Sequence, residues 1–158
     1  MMPTVSEILE TMDYGPSPEA SDIVAKWLKE RKVFGHYLDG GLTSPGKTFD
    51  VKNPATGQVI AKVSQGTKAD VEAAVRAARA ALPAWSRLPG HERAKWLYAI
   101  ARNIQKRERF LAVLEVIDNG KPIRETRDID VPLVARHFYH HAGWAQLAER
   151  EFPGHAPV

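Results

Sequence analysis

Apolar residues near the start of the chain recur at helical spacing. Ala20, Ile23, Val24, Trp27 and Leu28 form one stripe behind Ser17-Pro18-Glu19, where a capping hydroxyl, a proline at the first helical position and an early acid favour helix initiation. Val5, Ile8, Leu9 and Met12 share one face of a shorter preceding segment, predicting a first helix over Val5 to Met12. From Phe34 the period changes. Gly35, Gly40, Gly41, Pro45 and Gly46 cut the chain into short runs, and strands are expected at Phe34–Leu38, Thr48–Val51 and Gln58–Val63. Asn53-Pro54-Ala55-Thr56-Gly57 reads as the turn between the last two, since proline fixes φ and glycine supplies a positive one. The result is a small antiparallel meander, too small to be stable without something packed on it.

Helical spacing then resumes. Thr67-Lys68-Ala69-Asp70 is a capping box with an aspartate as its acid, and Val71, Ala74, Val75, Ala78 and Leu82 form the stripe of the helix it opens. Pro89-Gly90 breaks the pattern. Ala94, Leu97, Ile100, Ala101 and Ile104 form the next stripe, and Phe110, Leu111, Leu114 and Ile117 continue it after a slip in phase near Lys106 to Glu108. Asn119-Gly120 is a helix stop. A last helix is expected from Asp128–Pro132 to about Arg150, with Asp128 and Asp130 as capping acids and Phe152-Pro153-Gly154 ending it. The expected fold class is α+β, mostly helical with a small antiparallel meander.

Composition narrows the chemistry. The 158 residues contain no cysteine, which excludes disulfides, thiolate metal sites and a thiol nucleophile from these positions and fits a cytoplasmic protein. Net charge is only +3, and the densest basic run, Lys106-Arg107-Glu108-Arg109, is short and broken by an acid, so no nucleic-acid surface is expected. No apolar run is long enough to span a bilayer, and Met1–Tyr14, with Glu7, Glu10 and Asp13, is unlike a secretory leader. His137 and His141 stand at i, i+4, a spacing that brings two imidazoles to one ion. The glutamate of a zinc hydrolase is missing between them, however, and packing with a polar edge is the expected role for them and for His140. Gly35, Gly40, Gly41 and Gly46 do not open a helix after a strand, so no phosphate cradle is expected. Ser64 and Ser86 sit in turn-like contexts, where capping is expected. The residues alone yield no catalytic set.

Five segments in a fixed order carry a resemblance: Asn53-Pro54-Ala55-Thr56-Gly57-Gln58-Val59-Ile60-Ala61, the alanine-rich Asp70 to Ala81, Pro83-Ala84-Trp85-Ser86, Asp118-Asn119-Gly120-Lys121-Pro122 and Ala142-Gly143-Trp144-Ala145. Together they closely resemble the N-terminal part of NAD(P)-dependent aldehyde dehydrogenases, over about residues 34–158. Ser6 to Met12 and Tyr14 to Glu19 look like the start of the family-16 members. The resemblance implies residues 1–33 as an N-terminal helical extension, 34–150 as the first part of the cofactor-binding domain of an α/β Rossmann-like fold, and 151–158 as the beginning of a hairpin used for subunit association.

It also implies a reaction that oxidises an aldehyde to a carboxylic acid with NAD or NADP. That reaction uses a cysteine nucleophile, an acidic general base and an oxyanion-holding amide, all beyond Val158. The chain alone is therefore expected to be inactive and to bind neither cofactor tightly. Only peripheral roles transfer. Val51, Lys52 and Asp118 match positions whose backbone binds a monovalent cation in some members, and Leu133 matches a position lining the aldehyde entrance, with core packing as its alternative. The implied partner is a second copy, in a dimer, or the remainder of the enzyme. The competing function is a non-catalytic helical association module derived from the same family.

Overall fold

The computed structural model describes Thr4 and residues 19–152. The expected helix over Val5–Met12, the Ser17-Pro18 start signal and Pro153-Gly154 lie outside them. The first described helix, α1 (Asp22–Arg31), begins later than the Ser17-Pro18-Glu19 signal and buries Val24 and Leu28, one turn apart. It stops at Lys32, whose N–H donates to the Leu28 carbonyl at 2.8 Å while its own backbone sits at φ 57°, ψ −42°.

The expected strand Phe34–Leu38 is two strands belonging to two sheets. A Cβ on Gly35 would lie 1.9 Å from the Thr43 carbonyl oxygen, so the chain is pressed against its own return at that point. Beyond it, β2 (Tyr37–Leu38) pairs with β3 (Gly41–Leu42) through an Asp39-Gly40 turn with positive φ at both positions. The other sheet has the order β1 (Val33–Phe34), β5 (Val59–Ser64), β4 (Thr48–Lys52). Its β4–β5 hairpin is antiparallel as expected, but β1 runs parallel to β5, so the sheet is mixed rather than a pure antiparallel meander. A parallel neighbour is possible because the β2–β3 excursion and β4 supply the connecting length.

Helix α2 (Lys68–Ser86) opens with the expected capping box. Thr67 Oγ1 accepts from the Asp70 N–H at 3.3 Å, and the Asp70 carboxylate accepts from the Thr67 N–H at 2.8 Å and hydroxyl at 2.6 Å. Those donations, with His36 Nε2 at 3.7 Å, hold the Asp70 pKa below its ordinary value; the Thr67 hydroxyl is the largest cause. Helices α3 (Gly90–Lys106) and α4 (Glu108–Asn119) meet at Arg107, where the phase slip placed the joint. Gly120, at φ 78°, caps α4 by donating to the Val116 carbonyl at 2.9 Å.

A short α5 (Ile123–Glu125) then runs through a π-helical turn, Thr126–Asp130, into α6 (Val131–Glu151). The capping role expected of Asp128 and Asp130 is not taken up. The backbone is already helical at Asp130 (φ −66°, ψ −58°), and no capping hydrogen bond forms there. The two carboxylates are used instead by Arg127 and Lys121.

Two packed regions result. In the first, Val24, Leu28, Ala61 and Val113 form a core joining α1, β5 and α4. Trp27 stands beside it between Phe34 (5.3 Å between ring centroids) and Phe110 (5.4 Å, edge-on), with the Arg31 guanidinium 4.7 Å from its ring. In the second, α3 and α6 lie against each other through small residues. Gly90, Ala94 and Ala101 are buried on one helix, Val131, Ala135 and Ala142 on the other. A Cβ on Gly90 would lie 2.1 Å from the Ala145 carbonyl oxygen. Tyr139 donates to Gln105 (2.7 Å) and Gln146 to Tyr98 (3.1 Å) across the same helix pair.

Candidate functional site

Two of the sequence motifs meet in space. The Asn53-Pro54-Ala55-Thr56-Gly57 turn closes the β4–β5 hairpin. The Asn53 carbonyl accepts from Gly57 at 2.7 Å, its side chain accepts from Ala55 N–H at 2.9 Å, and Gly57 takes φ 70°. Opposite lies the Asp118-to-Pro122 segment. A Cβ on Gly120 would fall 2.7 Å from Pro54 Cγ, so glycine there serves both the left-handed cap and the close approach of the turn.

Val51 and Asp118 line one cleft of about 390 Å³ beside Trp27 and Phe34. Lys52 follows Val51 at a register shift in the ladder and is exposed. β4 is an edge strand on which alternate residues, Lys52 among them, turn their main-chain groups away from β5, while Val51 faces the β5 ladder. Asp118 lies in the last turn of α4, and the residue four ahead of it, which would donate to its carbonyl in a continuing helix, is Pro122, without an N–H. Carbonyls at a helix C-terminus carry partial negative charge, which favours a cation. Among the described residues no group of three or more His, Cys, Asp or Glu side chains is placed to hold a metal ion, so main-chain oxygens are the donors on offer.

Leu133, expected at an aldehyde entrance, is 41% exposed on α6 and is not part of the Val51–Asp118 cleft. Two of the three clustered histidines make ring contacts, while His137 is exposed. His140 Nε2 accepts from Trp144 Nε1 at 3.0 Å, and the His140 and His141 rings meet edge-on at 5.3 Å. Ser86 donates to the Pro83 carbonyl at 3.4 Å in the last turn of α2. Ser64 is different from the capping serine expected: it ends β5, is buried, and its hydroxyl has no partner among the described residues. Among the described residues Gly90 is the only glycine opening a helix, and a Cβ there would meet the Ala145 carbonyl.

Ion pairs not foreseen from sequence fix the loop after Asp118. Lys121 pairs with the half-buried Asp130, whose hydrogen bond is the main reason the lysine pKa is raised. Arg127 grips Asp128 through Nε (2.7 Å) and Nη2 (2.9 Å) and reaches Glu19 at 3.4 Å, tying the π turn to the entry of α1. Lys121 was visible as part of a motif, but the nine-residue reach to Asp130 depends on the π turn, which has no sequence signal of its own.

Comparison with known proteins places these elements. Residues 42–156 match the family described as "Aldehyde dehydrogenase family". The chain is 40% identical over 121 residues to acetaldehyde dehydrogenase 2 of Cupriavidus necator, covering 75% of this chain and 24% of that protein. It is 39% identical over 115 residues to aldehyde dehydrogenase family 2 member B4, mitochondrial, of Arabidopsis thaliana, covering 72% of this chain and 21% of that protein. Among solved structures it is similar to HpcC from Thermus thermophilus, with TM-score 0.76 and 30% identity over 87% of this chain and 28% of that one. It is also similar to the NAD+ complex of aldehyde dehydrogenase from Bacillus cereus, with TM-score 0.72 and 33% identity over 84% of this chain and 27% of that one. The chain thus spans about a quarter of the length of the relatives it matches. With the turn, the alanine-rich helix and the Asp118-to-Pro122 loop all inside the matched range, the chain belongs to the aldehyde dehydrogenase family.

Proposed function

We propose that this chain is the N-terminal portion of an NAD(P)-dependent enzyme that oxidises an aldehyde to a carboxylic acid, nearest in kind to the family-16 members, and that it is inactive alone. The observation that carries this reading is the match of residues 42–156 to the family within only about a quarter of its relatives' length. The 158 residues contain no cysteine to act as the thiol nucleophile. No reaction step runs through these residues; their part is support.

Within that part, main-chain oxygens of Val51, Lys52 and Asp118 hold a monovalent cation, and Leu133 borders the aldehyde entrance. The shared cleft, the edge strand and Pro122 favour the first role, and the exposure of Leu133 on α6 favours the second. The partner is a second copy or the remainder of the enzyme, because α2 buries none of its residues and leaves Val71, Val75, Leu82 and Trp85 in water.

Purified chain incubated with NAD and an aldehyde is expected to form no NADH. Turnover surviving removal of host enzymes would defeat the claim of inactivity. Replacing the matching segment of the Cupriavidus necator acetaldehyde dehydrogenase with this chain should retain NADH formation. A folded, NAD-binding chimaera without turnover would refute the assigned supporting role.

A further inference from the structure

A second cleft, of about 600 Å³, lies between α1 and the β4–β5 hairpin. Its lining includes the buried Leu28 and Ala61 together with Ile60 and Ile117. Lys29, Lys32 and Lys62 also line it, with the polar groups of Ser21 and Asn53, and no acid is among the lining residues. Lys62 is already paired with Asp50 at 2.5 Å. Lys29, in the last turn of α1, and Lys32, directly after it, carry no ion pair to a described residue. An apolar lining with two uncompensated ammonium groups complements a ligand with an apolar body and one anionic head. The volume lies in the range of small-molecule sites, roughly 300–1,000 Å³.

The backbone adds an independent observation. Lys32 sits at φ 57° and ψ −42°, outside the regions that residues with a Cβ ordinarily adopt. Two main-chain bonds hold it there: its N–H donates to Leu28 and its carbonyl accepts from Lys62 N–H at 2.9 Å. That arrangement fixes the lysine where α1 and β5 converge on the cleft. We propose that this cleft binds an amphiphilic carboxylate, with Leu28, Ile60 and Ile117 receiving the hydrocarbon and Lys29 and Lys32 the carboxylate. Lysines, unlike arginines, act as point charges and demand no fixed geometry of the head group. The inference concerns these residues alone and stands apart from the reaction proposed above.

The test is calorimetric titration of the full 158-residue chain with octanoate, octanol and acetate. Octanoate is expected to bind saturably, and octanol and acetate at least roughly tenfold more weakly, each lacking one half of the recognition. The Lys29→Ala/Lys32→Ala double variant should lose roughly tenfold in octanoate affinity at unchanged helical circular dichroism. A Lys32→Gly variant, which relieves the backbone while removing the ammonium, should fold at least as well and still bind more weakly. Equal binding of octanol and octanoate, an undiminished double variant, or no saturable binding would each overturn the proposal. So would binding that appears only in a chain lacking residues 1–18, which would assign the cleft to that segment with its three acids.

Discussion

Two alanine-rich regions of this chain meet opposite fates. α2 carries seven alanines between Ala69 and Ala81, yet none of its residues is buried. The α3–α6 pair spreads its alanines over two helices, and Ala94, Ala101, Ala135 and Ala142 are all 2% exposed or less. Helix propensity is satisfied in both, so it does not explain the difference. What separates them is a partner: α6 brings its own small residues against α3, while α2 touches the rest of the chain near β2, through His36 and Asp70. Small residues permit close approach, and burial follows only where a second surface is present.

Changing the packed seam should have the largest effect. Gly90→Ala places a methyl group 2.1 Å from the Ala145 carbonyl, and the helices must part. A loss of about 3 kcal/mol in urea denaturation is expected, against a change within about 0.5 kcal/mol for Ala78→Leu on the open helix. If the Ala78 variant were the more damaging, the contrast between the two regions would collapse. Gly120→Ala should cost about 1–2 kcal/mol, from the left-handed backbone and the crowding of Pro54, and would lower the melting temperature of the first region.

A loss near the lower end of that range is expected at the start of the open helix. Thr67→Ala removes the capping box and should cost about 1 kcal/mol. That difference has a pH signature. The Asp70 pKa is depressed in the folded chain, so its contribution is complete above the unfolded value of about 3.9 and fades as pH falls through the lower folded one. The gap between wild type and variant should therefore narrow below about pH 4 in helical circular dichroism. A gap constant down to the acid limit would show that the carboxylate has no share in the cap.

Local chemistry was legible wherever one segment decided the outcome. Thr67 and Asp70, the joint at Arg107 and the stop at Gly120 all depend on residues a few positions apart, and each forms where its pattern lies. Features settled by distant contacts were not. The splitting of Phe34–Leu38 goes with the press of Thr43 against Gly35, and the parallel pairing of β1 with β5 joins Val33 to the distant Lys62; no periodicity encodes either. Asp128 and Asp130 look like caps until the π turn carries the helix past them. At the candidate site, Val51, Asp118, Pro54 and Gly120 were visible as motif members, but their convergence required the fold.

The rings stacked around Trp27 have an optical consequence. Trp85, Trp96 and Trp144 are all exposed, Trp144 beside His140 and Phe152, whereas Trp27 sits half-buried between two phenylalanines under a guanidinium. The short-wavelength edge of the emission spectrum is expected to come mainly from that indole, a built-in gauge of whether the first helix is seated on the sheet, and Trp27→Phe should remove it.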